Sequence, residues 1–486
     1  MLFNSYIFIL VFLPLALLGY YGLYRLKNAT YSKIFLLFMS LWFYAYFNIS
    51  YLFIILFSIG LNYAFSQILC KCDTKDVYRK WIMVIAIGAN IAVIFYYKYY
   101  DFFVSTINSC FRLDWQLKNI VLPLGISFFT FQQISYVVDS YRYETKEYSL
   151  LDYALFVTFF PQLIAGPIVL HNEMIPQFKN ERNYIINWDN LAYGIHIFVM
   201  GLAKKVLIAD VLGKAVNWGY TTDTVLTSME VLVVSVSYTL QIYFDFSGYC
   251  DMAIGLGKML NIDIPQNFNS PYVATSIPEF WKRWHMTLTR FLTQYIYYPL
   301  GGNRKGKLRQ YINIFVVFLI SGIWHGANWT FILWGILHGL FNILNRIFQN
   351  TWEKLHIVTR WVITFMFVNV TWIIFRADTV SQAFMMIRRL FGCENQSINT
   401  DLLATFKGVE FEFLEDILHL PRLDSIVPPF YMLLYIFGGI LICLNCKNNQ
   451  ERDFKPTVAN SVCTIFLLVY CIFSLAGVAT FLYFNF

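Results

Sequence analysis

A succession of long apolar runs, separated by short polar loops, limits what this chain can become. Crossing a bilayer as an α-helix takes about 20 apolar residues. Runs at 6–24, 34–48, 50–69, 81–98, 120–138, 151–169, 189–209, 226–247, 311–324, 329–347, 358–376, 429–445 and 459–481 reach or approach that length. The stretch 34–69 is too long for one crossing, and Asn48-Ile49-Ser50 offers a turn within it. Hydrophobic residues make up 58% of the 486 and charged residues 13%, where a soluble domain carries about 25% charged. One aqueous core cannot hide so much apolar surface, so lipid is the solvent for much of it. The expected fold is all-α: a polytopic integral membrane protein of about 11–13 transmembrane helices.

The net charge of +7 reflects loop topology and not a nucleic-acid partner. Lys and Arg gather in short loops: Arg25, Lys27 and Lys33; then Lys71, Lys75, Arg79 and Lys80; then Arg304, Lys305, Lys307 and Arg309. The positive-inside rule makes these loops cytoplasmic and the N-terminus external. The polar stretch 390–428, rich in Asp and Glu, is expected on the outer face. The first run has no Lys or Arg before it and no small-residue cleavage site, so it reads as a retained helix. No Walker loop or GxGxxG is present, which removes support for a nucleotide-driven pump. Neither Cys70/Cys72 nor Cys443/Cys446 is completed by a second CxxC, so no metal site is expected. The chain reads as one membrane-embedded domain over 1–486, with its catalytic core at about 120–345.

Between 248 and 305, Gly, Pro, Asn and charge interrupt the apolar pattern. Irregular backbone survives at membrane depth only where protein buries it or it lines a cavity, which makes this region the first place to look for a site. Four stretches carry candidate chemistry. In Phe280-Trp281-Lys282-Arg283-Trp284-His285, continuing to Tyr298-Pro299-Leu300-Gly301-Gly302, a helical reading puts Trp281, Trp284, Leu288, Phe291, Leu292 and Tyr295 on one face. Lys282, Arg283 and Arg290 fall on the other, with His285 at the border. The bland reading is an interfacial anchor; the functional one is a basic strip for phosphates beside a histidine. In Ser321-Gly322-Ile323-Trp324-His325-Gly326, His325 closes an apolar run, and Gly322 and Gly326 would let a substrate approach the backbone. Intramembrane ionisable residues default to function, although such a histidine also serves packing. His338, 13 residues on, would point elsewhere on a continuous helix and suits a structural hydrogen bond. In Gln241 to Asp251, Asp245 and Asp251 bracket a turn-forming Ser247-Gly248 and suit capping or ion pairing.

Two histidines near a basic strip suggest acyl transfer. A neutral imidazole takes the proton of a hydroxyl as it attacks a thioester, and a second donor stabilises the oxyanion. No GxSxG elbow supplies a serine nucleophile.

These motifs resemble the membrane-bound O-acyltransferase family, in its alginate and peptidoglycan O-acetyltransferase branch. The resemblance runs through Met1 to Ser5, Pro123 to Gln132, Phe160-Pro161-Gln162-Leu163-Ile164-Ala165-Gly166-Pro167-Ile168, and Gly201-Leu202-Ala203-Lys204-Lys205. It continues through Gln241 to Asp251, Asn267 to Tyr272, Phe280 to His285, Pro299 to Arg304, Trp324 to Trp334 and Phe375-Arg376-Ala377. It implies a ring of helices around a central tunnel with re-entrant segments, in a bacterial cytoplasmic (inner) membrane. His325 matches the family's signature catalytic histidine, acting as a base or transient acyl carrier, and His285 the second motif position. Acetyl-CoA is the implied cytoplasmic donor, docking on Lys282, Arg283, Arg290, Trp284, Asn328 and the 302–310 loop. The acceptor is an extracytoplasmic polysaccharide (peptidoglycan, alginate or another exopolysaccharide), reached through an SGNH-type acetyltransferase partner. Two positions depart from the family pattern: Thr293-Gln294 stand where an Arg-Asp pair often precedes the tyrosine, and Val169-Leu170-His171 follow Gly166-Pro167-Ile168. The competing readings are D-alanyl or other acyl transfer from a carrier protein, a polysaccharide transporter or flippase, and a recruiting scaffold.

Overall fold

The computed structural model describes residues 1–72, 77–145, 147–222, 225–392, 396–407, 426–449, 451, 454–475 and 481–482. Much of the expected acidic loop at 390–428 therefore lies outside the described residues. Among the described residues all regular structure is helical. Five helices are long and apolar enough to cross a membrane: Ile49–Lys71, Val77–Phe111, Trp329–Ile347, Ile357–Arg376 and Val427–Asn445. Phe8–Tyr24 and Val458–Phe473 are apolar but shorter. Leu18, Phe53 and Phe57 stand exposed on such helices, where lipid tails would cover them. The chain is a multi-pass membrane protein. Its contacts group into two units, the first comprising 1–199, 250–266 and 454–461, and the second 200–249, 267–453 and 462–486.

In the first unit, α1 (Leu13–Tyr24), α2 (Ala29–Ala45), α3 (Ile49–Lys71), α4 (Val77–Ile94) and α5 (Tyr100–Phe111) follow one another. The long apolar run 34–69 breaks where the sequence suggests: Asn48 caps α3, its Oδ1 accepting from Ser50 N at 2.8 Å. Asn62 of α3 and Asn90 of α4 exchange amide hydrogen bonds at 3.1 and 2.6 Å, satisfying both groups away from water. The next helix, α6 (Ile126–Tyr141), starts later than its apolar run because Pro123 and the left-handed Gly125 (φ 70°) precede it. A Cβ at Gly125 would lie 2.9 Å from the Leu163 carbonyl oxygen, so only glycine fits. The expected span 151–169 is cut short: α7 (Leu150–Thr158) ends three residues before Pro161, and 159–170 is buried and non-helical. Proline lacks the amide hydrogen and disfavours helix in the residue before it. In α8 (His171–Lys179), His171 is buried, its Nε2 3.1 Å from Asp139 Oδ2 and its Nδ1 3.2 Å from the Tyr148 hydroxyl. The carboxylate can only accept, so Nε2 donates to it, and in the neutral ring Nδ1 accepts from Tyr148. The helix α9 (Trp188–Ala203) follows.

In the second unit, α10 (Asp210–Thr221) precedes the greater part of α11 (Ser228–Met259), a helix of 32 residues whose residues from 250 on are counted with the first unit. Ser247-Gly248 does not turn, contrary to the sequence reading. Gly248 is there for close packing, since a Cβ would come 2.8 Å from the Gly201 carbonyl oxygen. The ion-pairing expectation for Asp245 holds. Lys205 Nζ lies 2.6 Å from Asp245 Oδ1 and 2.8 Å from Asp210 Oδ1, and the Leu482 amide donates to Asp245 Oδ2 at 3.0 Å. Beyond it come α12 (Ile277–Arg283), α13 (Met286–Leu292), α14 (Lys307–His325), α15 (Trp329–Ile347), the short α16 (Gln349–Glu353) and α17 (Ile357–Arg376). A three-residue link joins α14 to α15, which run antiparallel. Their axes cross where a Cβ on Gly322 would lie 2.5 Å from the Phe331 carbonyl oxygen, and one on Gly335 2.6 Å from that of Phe318. Gly326 faces the Phe331 ring in the same way. These glycines admit a neighbouring helix and aromatic ring, where the sequence suggested substrate.

Candidate active site

The segment around His285 is not the continuous amphipathic helix its spacing predicts. It breaks at His285, whose backbone is left-handed (φ 45°, ψ 53°), into α12 and α13. A non-glycine residue holds this conformation only when its surroundings over-determine it. Here Asn267 does so. Its Oδ1 accepts from the Thr287 amide (3.2 Å), from Thr287 Oγ1 (2.8 Å) and from His285 Nδ1 (3.0 Å). Its carbonyl accepts from Met286 N at 2.9 Å. An amide donor at Thr287 requires the oxygen of Asn267 on that side, and an accepting oxygen requires the proton on His285 Nδ1. In its neutral form the fully buried ring therefore carries its lone pair on Nε2.

His325 is the last residue of α14, and Gly326 continues in extended backbone. The residue is 4% exposed, and its ring packs against Trp324, Trp334 and Phe375 at centroid distances of 4.9, 5.1 and 5.2 Å. Trp324 also meets His285, at 6.2 Å. Two histidines 40 positions apart in sequence thus contact the same indole ring.

His338 ties the surroundings together. Its Nδ1 accepts from Trp281 Nε1 at 3.1 Å, and its Nε2 donates to Thr371 Oγ1 at 3.0 Å. Thr371 in turn donates to the Val368 carbonyl at 2.9 Å. Both ring nitrogens are committed, which fits the structural hydrogen-bonding role read from sequence. The bond fixes Trp281, one helical turn before His285, against α15 and α17.

A cavity of about 290 Å³ opens among α12, α13, α14 and α15. Trp281, Leu288, Leu292, Ile314 and Phe318 give it apolar walls, with Ser321 and Asn342 as buried polar groups. Lys282 and Arg346 line it from exposed positions.

A family model for the membrane-bound O-acyltransferase family matches residues 110–381. The chain is 39% identical to the peptidoglycan O-acetyltransferase of Helicobacter pylori, over 100% of this chain and 98% of that protein. The chain belongs to the membrane-bound O-acyltransferase family. It is 37% identical to the "Probable alginate O-acetylase" of Pseudomonas aeruginosa, over 84% of this chain and 78% of that one. It is 28% identical to the teichoic acid D-alanyltransferase of Bacillus subtilis, over 49% and 62% respectively. This membrane-bound O-acyltransferase is therefore an enzyme of acyl transfer.

Within the acyltransferase, the residues read from sequence as donor-binding separate. Lys282 lines the cavity. Arg283 is turned to Glu279 (3.1 Å) and to the Asn269 carbonyl (3.2 Å). Trp284 is a core residue, stacked on Phe280 at 5.5 Å and against Trp372 at 5.0 Å. Asn328 caps α15, its Oδ1 accepting from Thr330 N (3.2 Å) and its Nδ2 donating to the Asp378 carbonyl (2.8 Å). Arg290, half-buried on α13, does not line the cavity. Sequence reasoning gave no role to Asn267, Trp334, Thr371 or Arg346. Asn267 lies in a quoted motif, but only the fold reveals it as the clamp on His285.

Proposed function

We propose that this acyltransferase moves acetyl groups from cytoplasmic acetyl-CoA, across a bacterial inner membrane, for O-acetylation of an extracytoplasmic polysaccharide. The observation that carries the reading is the meeting of His285 and His325 on one indole ring in a buried site. The acetyl group and the acceptor class are inferred from the peptidoglycan O-acetyltransferase and alginate O-acetylase relatives. His325 acts as general base, taking the acceptor hydroxyl proton as its oxygen attacks the thioester carbonyl. The carbon–sulfur bond breaks, the proton passes to the departing thiolate, and free CoA leaves. His285, its Nδ1 proton held by Asn267, polarises the carbonyl or orients the acceptor, according to the protonation of Nε2. That first acceptor is not yet the polymer: an SGNH-type partner on the outer face takes the acetyl group from it and passes it to a polymer hydroxyl, releasing the first acceptor's hydroxyl.

The test is release of free thiol from acetyl-CoA by the purified protein, wild type and His325→Ala, with and without the partner. Turnover lost in a variant that stays folded supports the reading. Wild-type protein that ignores acetyl-CoA but consumes a carrier-protein thioester would favour the D-alanyl-type chemistry of the teichoic acid relative. Accumulation of acetyl on His325 without acceptor would replace the base with a covalent route.

A further inference from the structure

Acyl transfer at His325 calls for two groups: a base for the hydroxyl proton, and a donor for the charge that gathers on the carbonyl oxygen. His285 meets the second need only as a cation. Its Nδ1 proton is held by Asn267 at 3.0 Å, so the neutral ring has a lone pair at Nε2, which repels an oxyanion. A neutral donor comes from elsewhere in the site. Trp334 of α15 is fully buried, and among the described residues its Nε1 has no hydrogen-bond acceptor. Its ring neighbours explain why. Trp281, Trp372 and Phe375 offer aromatic faces only, at 5.6, 5.9 and 5.2 Å. His338, at 4.7 Å, has both nitrogens committed to Trp281 and Thr371. The remaining neighbour is His325, its ring at 5.1 Å and 87° to the indole.

Other indoles of this unit are matched. Trp281 donates to His338 Nδ1 at 3.1 Å, Trp352 to the Thr275 carbonyl at 2.9 Å and Trp361 to the Tyr272 carbonyl at 2.8 Å. Trp372 Nε1 is buried without an acceptor too, but that ring meets Trp284, Trp334 and Phe375 and neither histidine. An unmatched buried donor costs stability, and at Trp334 the cost is borne against the base. The position is also a rigid one. Gly335 follows at the crossing where α15 meets the backbone of α14, so the indole is held to the helix that carries His325. A donor fixed in place before the charge appears needs no reorganisation to stabilise it.

We infer that Trp334 is a catalytic residue whose Nε1–H donates a hydrogen bond to the thioester carbonyl oxygen in the transition state. The inference rests on the reading of His325 as the base. As the acceptor oxygen bonds to the carbonyl carbon, its proton passes to His325 and the carbonyl π pair moves onto oxygen, where the indole N–H meets it. When that pair returns, the carbon–sulfur bond breaks and the thiolate takes the proton from His325. The indole keeps its own proton throughout.

The test uses the full chain in detergent. Trp334→β-(3-benzothienyl)alanine, installed by nonsense suppression, keeps the bicyclic shape and puts sulfur in place of the N–H. The same replacement at Trp361, whose N–H has an acceptor, is the comparison. Thiol release from acetyl-CoA gives kcat and KM, and thermal unfolding gives the melting temperature. At 334 kcat is expected to fall about 100-fold or more, the loss that follows removal of one oxyanion donor. KM for the donor should stay within about twofold, and the melting temperature should equal or exceed that of wild type, since the resting protein loses no hydrogen bond. At 361 the pattern reverses: the Tyr272 carbonyl loses its donor, the melting temperature drops and kcat is unchanged. An unchanged kcat at 334, or a loss carried by KM alone, overturns the inference. So does a melting temperature that falls at 334 as at 361, which would assign the N–H to a resting contact with a neighbouring ring. In each case wild-type turnover that His325→Ala abolishes leaves the reading of the base intact. If wild type consumes only a carrier-protein thioester, the same comparison with that donor decides the inference. If wild type consumes no thioester, both fall.

Discussion

Substituting Gly335 by alanine tests whether the α14–α15 crossing sets the position of His325. A Cβ at 335 would lie 2.6 Å from the Phe318 carbonyl oxygen, where ordinary contact begins at 3.4 Å, so the helices must part by about 0.8 Å. The obstacle is backbone, and no rotamer change relieves it. Overpacking of this kind costs about 1–3 kcal/mol. Replacing a helical glycine gains back about 0.5–1 kcal/mol of conformational entropy, so the net effect is destabilising. Activity should suffer more than stability, because His325 lies three residues past Gly322 on the displaced helix. A misplacement near 1 Å can lower the rate about 100-fold. The assay is thermal unfolding in detergent by size-exclusion, paired with thiol release. Gly60→Ala is the control, since nothing lies within 4 Å of a Cβ there; it should match or exceed wild-type stability. A Gly335→Ala protein with wild-type melting temperature and turnover would refute the claim that this crossing positions the histidine.

Three further outcomes follow from the hydrogen bonds and ion pairs. His338→Leu strands the buried Trp281 N–H and should cost about 1–3 kcal/mol; in a double-mutant cycle with Trp281→Phe the pair should couple by about 1 kcal/mol, read from unfolding of the four proteins. Lys205→Met leaves the Asp245 carboxylate buried without its cation and should destabilise by about 3–5 kcal/mol, whereas Lys205→Met with Asp245→Leu should be milder in the same measurement. Asn328→Ala removes a helix cap and should cost about 1 kcal/mol without raising KM for the donor; a raised KM would return Asn328 to the donor site.

The membrane character of this chain is determined by its sequence alone, because a long apolar run has few stable alternatives to a helix in lipid. Boundaries were legible wherever a local signal sets them. The 329–347 run matches its helix, and Asn48 caps α3, since capping and hydrophobic length act within a few residues. His325 and His285 stood out for the cost of placing an ionisable group among apolar neighbours, and the motifs around them pointed to the family. The tertiary structure alone decided how those residues are held. Helical spacing cannot reveal the left-handed break at His285, because Asn267, 18 positions away, accepts the four hydrogen bonds that hold it. It cannot tell a glycine that admits substrate from one that admits a helix, as Gly322 and Gly335 do, nor assign Arg283 to Glu279 and leave Lys282 at the cavity with Arg346. Each of those outcomes depends on which distant atoms arrive within contact distance, and that is a property of packing and not of any local stretch of chain.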